Sequence, residues 1–135
     1  MRLMKVKVGD KFSKTKKITD EVVRKFAELS GDFNPIHLDE DFAKNTRFRK
    51  RIAHGMISGA LISAVLGNEF AEKKIVYLSQ TLNFVAPVFI DDTITATATV
   101  THIREDKPII TLETICTNQN GEVVVKGEGK IMVYE

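Results

Sequence analysis

The stretch Gly55-Met56-Ile57-Ser58-Gly59-Ala60-Leu61-Ile62-Ser63-Ala64-Val65-Leu66-Gly67-Asn68 runs for 14 residues without a charged side chain. Its apolar residues fall on every side of a 3.6-residue period, and a helix with no charged face is a buried helix. The stretch is too short to span a bilayer, which takes about 20 apolar residues, so the helix is expected inside the protein. Gly55, Gly59, Ser63 and Gly67 recur every four residues and form a narrow stripe of small side chains. Such a stripe lets a strand of the same sheet, or a thin ligand, come close to the helix axis.

Downstream of this helix the chain reads as β. Val76, Leu78, Leu82 and Phe84 share a parity in the run 75–85, which ends at Ala86-Pro87. Ile94, Ala96, Ala98 and Val100 alternate with threonines over 93–101, a sustained period of two. Glu105-Asp106-Lys107-Pro108 and Asn118-Gln119-Asn120-Gly121 are turn chemistry between adjacent runs and predict antiparallel hairpins. In the last run, Val123 to Tyr134, Gly127 and Gly129 predict a bend or bulge. One buried helix followed by four long antiparallel strands gives an α+β domain whose sheet wraps around the helix, the architecture called a hot dog. A single wrapped sheet leaves edges, and pairing them across a two-fold axis is the simple remedy, so a homodimer is expected.

Upstream, Lys5-Val6-Lys7-Val8 alternates polar and apolar before Gly9-Asp10 and predicts a short strand and turn. A helix follows, with Thr19 as N-cap, Asp20 and Glu21 at the positive end of its dipole, and Val22, Phe26 and Leu29 on one face. Gly31 can close it. The helix delivers the chain into Ser30-Gly31-Asp32-Phe33-Asn34-Pro35-Ile36-His37, where a carboxylate and an imidazole sit five residues apart. Pro35 pushes Asn34 away from helical geometry, so the segment is a shaped loop. An Asp and a His brought together there can hold and activate a water; turns in which Asp32 and Asn34 only bond the backbone have the same composition. Asp39 is expected to cap a short helix through Lys44. The basic run Arg47-Phe48-Arg49-Lys50-Arg51 repels itself and is expected to be exposed.

The whole chain sets bounds. With 135 residues it is expected to be one domain, 1–135, large enough for a core without staples. Twenty basic against 18 acidic residues leave a formal charge of +2, which argues against bulk nucleic-acid binding. One cysteine, Cys116, cannot close an internal disulfide and lies in a strand-like run, so it is read as a small core residue in a reducing compartment. The N-terminus has no apolar segment of the secretory kind. A cytoplasmic protein without a membrane span is expected. His37, His54 and His102 have no metal-ligand spacing, so no metal is expected.

The segments Phe26-Ala27-x-x-Ser30-Gly31-Asp32-x-Asn34-Pro35-Ile36-His37 and Ala53-His54-Gly55-Met56 resemble the signature of the MaoC-like dehydratases. Within these the chain is most similar to the short, single-hot-dog (R)-specific enoyl-CoA hydratases. The likeness continues through Tyr77-Leu78-Ser79-Gln80, Pro87-Val88-Phe89-Ile90-x-Asp92 and Arg104 to Pro108; the departure is Glu69 to Lys74, where that subfamily has a turn with Gly or Pro. The resemblance implies reversible syn addition of water to a trans-2-enoyl thioester carried on coenzyme A or on acyl carrier protein, without a cofactor. It implies that Asp32 and His37 are the catalytic pair, with their division of the protons open. It implies the backbone N–H of Gly55 as oxyanion donor and a supporting or substrate-binding place for Asn34, Ser63 and His54. The carrier is anionic, so Arg47, Arg49 and Arg51 are candidates to bind it. A thioesterase of the same fold is the rival enzyme, disfavoured because the only carboxylate on the helix is Glu69 near its end; a non-catalytic partner subunit is the other rival, disfavoured because Asp32 and His37 are both present.

Overall fold

The computed structural model describes residues 6–70 and 74–134. Its elements are β1 (Lys11–Lys17), α1 (Asp20–Ser30), α2 (Pro35–Leu38), α3 (Glu40–Lys44), α4 (Gly55–Glu69), β2 (Ile75–Gln80), β3 (Asn83–Phe84), β4 (Thr93–Ile103), β5 (Ile109–Thr117) and β6 (Val123–Val133). One antiparallel sheet runs β1-β4-β5-β6-β2, with β3 also paired to β6. This is the wrapped-sheet hot-dog architecture.

The alternation in β4 does what a period of two requires. Ile94, Ala96, Ala98 and Val100 are all buried, and Ile110, Leu112, Thr114 and Cys116 of β5 line the same concave face. Against them α4 lays Ile57, Leu61, Ile62, Val65 and Leu66. The small Ala96 and Ala98 leave room for the helix to lie close to the sheet. Phe70 closes the far end, its ring 5.4 Å from Phe12 of β1.

Four expectations change. Lys5 lies outside the described residues, and residues 6–8 form no strand, because Asp10 accepts the Lys7 N–H (3.0 Å) and returns its own N–H to the Lys7 carbonyl (3.1 Å) in a tight turn. The strand instead forms at Lys11–Lys17, where four lysines in seven residues hide any alternation; as an edge strand it keeps them in solvent. In α1 the buried pair is Val23 and Ala27, whereas Leu29 is 85% exposed. The run 75–85 divides into β2 and β3, because Thr81 turns over β6. Its N–H bonds the Glu128 carbonyl and its hydroxyl accepts the Glu128 N–H, both at 2.9 Å. A Cβ on Gly127 would lie 1.8 Å from the Thr81 backbone oxygen, so that glycine admits a crossing backbone. The irregularity expected in this run falls instead at Val124, where the register against Cys116 and Thr117 shifts. Finally, α4 is only half wrapped: Met56, Ala60 and Ser63 are exposed. Its uniform apolarity therefore exceeds what this chain alone buries.

The departure from the family pattern at Glu69 to Lys74 includes residues 71–73, which lie outside the described residues. No helix among the described residues is long and apolar enough to cross a membrane.

The packing predicts a gradient along α4. Leu66→Ala, at a fully buried position, should cost about 2–5 kcal/mol in urea denaturation, whereas Ser63→Ala should change stability by less than about 0.5 kcal/mol. Equal effects would refute the one-sided burial.

Candidate active site

Gly31 ends α1 in the left-handed conformation (φ 79°), its N–H on the Ala27 carbonyl. The next residues are pinned one after another. The Ser30 hydroxyl donates to the Phe26 carbonyl (2.7 Å) and accepts the Asp32 N–H (3.1 Å). Asp32 Oδ1 accepts the Asn34 N–H, and Asn34 Oδ1 accepts the Ile36 N–H, each at 3.1 Å. Asn34 is thus the N-cap of α2, with Pro35 in its first turn. The loop expected through His37 closes into this single helical turn, which carries His37.

The His37 ring is fixed from behind. Its Nδ1 lies 2.7 Å from the Ile52 carbonyl. A carbonyl only accepts, so Nδ1 holds the proton and Nε2 is left to face outward with its lone pair. Burial holds His37 below its usual value of 6.5; the Ile52 bond and the Asp32 charge oppose this, and His54 and Arg51 add to it. Arg51 binds the His37 carbonyl through Nε (2.7 Å) and Asp20 Oδ1 through Nη2 (2.5 Å). Hydrogen bonds from Arg51 first, and Arg24 second, lower the Asp20 carboxyl from its usual range.

Side-chain donor atoms of Asp32, His37 and His54 lie within 4.8 Å of one another. Two hydrogen bonds of about 2.8 Å each span such a gap through one water. The same set is a possible metal cluster that sequence spacing did not reveal. Its rings, however, are stacked at 3.8 Å and 27°, so their in-plane lone pairs run side by side instead of converging on one ion. One nitrogen of each ring is also near a backbone carbonyl. The arrangement suits a bridged water better than an ion. His102 is exposed on β4 and stands apart from the cluster.

Beside His37 opens a cavity of about 430 Å³ lined by Gly55, Met56, Phe84, Arg47 and Phe48 among others. The space a Cβ would take at Gly55 is filled by the Phe84 ring at 2.7 Å, so glycine here admits β3 as well as leaving the helix start bare. Ser63 is exposed and its side chain makes no hydrogen bond to the described residues. Burial pushes the Cys116 thiol up to about 11, as suits a core residue and not a nucleophile. Of the basic run, Arg47 borders the cavity and Arg49 is exposed on a left-handed turn (φ 66°). Lys50 lies 4.4 Å from the centre of the Phe89 ring. Arg51 overturns the expectation of an exposed, carrier-binding side chain: it is only 7% exposed, because its two acceptors draw it inward. The acceptors on Ile52 and His37 are backbone carbonyls, which have no side-chain signature in a sequence.

A sheet wrapped on one helix defines a hot-dog protein, and in this one a carboxylate and an imidazole meet at the helix start. The MaoC-like domain model matches residues 5–120, and the chain belongs to that family. It is 46% identical over 128 residues to the (R)-specific enoyl-CoA hydratase of Rhodospirillum rubrum, covering 95% of this chain and 88% of the relative. It is 44% identical over 131 residues to that of Aeromonas caviae, covering 97% and 98%. The solved A. caviae (R)-hydratase superposes with a TM-score of 0.93 at 43% identity over 96% of this chain and 98% of that one. An (R)-hydratase from Pseudomonas aeruginosa superposes at 0.90 with 41% identity, over 96% and 83%.

The buried guanidinium gives a testable consequence. Arg51→Met should lower stability at pH 7 by roughly 1.5–3 kcal/mol, the range for hydrogen bonds to charged groups. Asp20 is lowered in the folded state, so its share is full above the unfolded carboxylate value of about 4 and is lost as pH falls through the folded one. The difference between variant and wild type should therefore narrow in denaturation curves below about pH 4. A variant as stable as wild type at pH 7 would contradict the role.

Proposed function

We propose that this protein is an (R)-specific enoyl-CoA hydratase that adds water reversibly and syn across a trans-2-enoyl thioester, giving the (R)-3-hydroxyacyl product. The observation that carries the reading is the one-water gap between the Asp32 carboxylate and the His37 imidazole. It lies beside a cavity large enough for an acyl chain and lined mainly by apolar groups. The thioesterase alternative finds little support, since the one carboxylate on α4 is Glu69 in its last turn.

The hydrogen bonding of His37 suggests its part. With the proton on Nδ1, its Nε2 takes a proton from the bridged water as the water oxygen bonds Cβ and the C=C π pair moves toward the thioester. The imidazolium then returns that proton to Cα on the same face, so oxygen and hydrogen add syn and His37 is restored. Asp32 holds the second hydrogen of the water and steadies the transient cation. Charge built on the thioester oxygen is met at the start of α4, where the Gly55 N–H, at the first helical position, has no acceptor within the helix. No metal or other cofactor is needed for these steps, and the assay should run unchanged in a chelator.

A cytoplasmic, homodimeric, single-domain protein suits this role, the lone thiol being buried and unpaired. The two sheet edges differ: β1 carries lysines, whereas β2 presents Val76, Tyr77 and Leu78 at 37–47% exposure, close in the chain to exposed Phe84 and Val85. A lysine-rich edge resists pairing and an apolar one invites it. Arg47 and Arg49 serve the phosphates of coenzyme A or the acidic surface of acyl carrier protein; Arg51 does not.

Crotonyl-CoA should lose its enoyl absorbance without release of free thiol, and Asp32→Asn or His37→Ala should slow this by about 10²–10⁴. Retained rate in either variant would remove that residue from the chemistry. Because His37 works unprotonated, kcat/KM should stay level through neutral pH and fall with a midpoint below 6.5; a midpoint above 7 would reverse its assignment. Arg47→Gln with Arg49→Gln should raise KM several-fold with little change in kcat and flatten its salt dependence, whereas an unchanged KM would make the run a solvated turn. Sedimentation should give a species of about twice 15.1 kDa, and an active monomer would refute the edge pairing.

A further inference from the structure

His54 stands at the N-cap of α4, where Ser, Thr, Asp or Asn would ordinarily bond the first free amides. Its side chain does not do so. It turns back 22 residues to the Asp32 carbonyl, with Nε2 at 3.0 Å. The ring is wedged between Phe26, at 4.9 Å, and His37, stacked at 3.8 Å. The residue is 3% exposed, and its Nδ1 is sealed with no partner among the described residues. A carbonyl only accepts, so Nε2 carries the hydrogen and the sealed Nδ1 is bare.

This pattern has a use. A phenyl ring would fill the same space and spare the interior a bare nitrogen. What imidazole adds over phenyl is one donor, and that donor goes to the backbone of Asp32. Asp32 is exposed and directly follows Gly31, the residue with the freest backbone in the segment. Its N–H is held by Ser30 and its carboxylate by the Asn34 N–H. The carbonyl is held by His54 alone among the described residues. The same ring supplies the flat surface against which His37 rests.

We propose that His54 is a positioning residue for the hydration reaction: by bonding the Asp32 carbonyl while stacked on His37, it fixes the spacing of the two catalytic side chains. It touches no substrate, since its one free nitrogen is closed off from the cavity. The inference rests on the hydratase reading, and its test separates the two.

The comparison is His54→Phe with His54→Gln, assayed with crotonyl-CoA. Phe keeps the stacked ring and removes the donor; Gln keeps an amide donor at similar reach and removes the ring. Expected for Phe is a kcat lower by about 10–100-fold with KM within about two-fold, at a melting temperature equal to or above wild type. Gln should recover kcat to within about five-fold of wild type despite lower stability. A merely structural histidine would give the opposite order, with activity following melting temperature, and that order would overturn the proposal. So would equal kcat in both variants. The wild-type protein supplies an arm independent of refolding: the nitrogen NMR shifts of His54 should report a protonated Nε2 and a bare Nδ1, and the reverse tautomer would also overturn it. Absence of hydration by wild type would instead count against the hydratase reading and leave the tautomer measurement standing as its own test.

Discussion

A helix uncharged from Gly55 to Asn68 must be covered, and α4 makes much of the rest of the molecule cover it. The sheet curves because Ile57, Leu61, Ile62, Val65 and Leu66 need apolar partners along one whole side of the helix. The Ala96 and Ala98 positions of β4 allow the two layers to close, and the glycine at 127 allows the chain to cross over β6 and split β2 from β3. Of what remains uncovered, Met56 borders the open apolar β2 edge at Tyr77 and Leu78, whereas Ala60 borders a groove with Val22 and Phe26 of α1. One demand for burial thus produces the wrapped sheet and leaves part of the helix uncovered.

The candidate site follows from where that helix begins. Its start meets the end of α1, so that the Asp32 turn and the α2 histidine are brought against His54 and Gly55. Arg51 locks the junction by joining the start of α1, through Asp20, to the end of α2, through the His37 carbonyl. Each polar group in the segment is oriented by a neighbour that is itself held: Ser30 by Phe26, Asp32 by Ser30 and Asn34, His37 by Ile52. Such pre-organisation is what a reaction needs when a weak nucleophile, water, must be aimed at one face of a double bond. In the proposed reaction the lowered basicity of His37 serves the same end, because an unprotonated imidazole can take the water proton at the moment of attack.

Much of this was legible in the sequence where a side chain carries a periodic or chemical signal. The alternation of Ile94 to Val100, the uncharged run of α4, the Thr19 and Asp39 caps and the Gly31 terminus could be read directly, and the structure has them. The strand Lys11–Lys17 was not, because an edge strand covered with lysines has no apolar face to show. Leu29 misled because a helix face judged by spacing alone says nothing of where the next element leaves it. Arg51 misled because a run of like charges reads as solvated, while two acceptors, one of them a backbone carbonyl, were enough to draw one member inside. The roles of the Ile52 and Asp32 carbonyls were beyond any sequence reading, since every residue has one.

The central claim is that one water, held between Asp32 and His37, gives both its oxygen and, through His37, its hydrogen to the same face of the substrate. Hydration of crotonyl-CoA in D₂O, followed by NMR of the product, tests this most directly. The account predicts (R)-3-hydroxybutyryl-CoA with one deuterium at Cα, placed syn to the new hydroxyl. An (S) product, an anti deuterium, or deuterium scrambled over both Cα positions would contradict it.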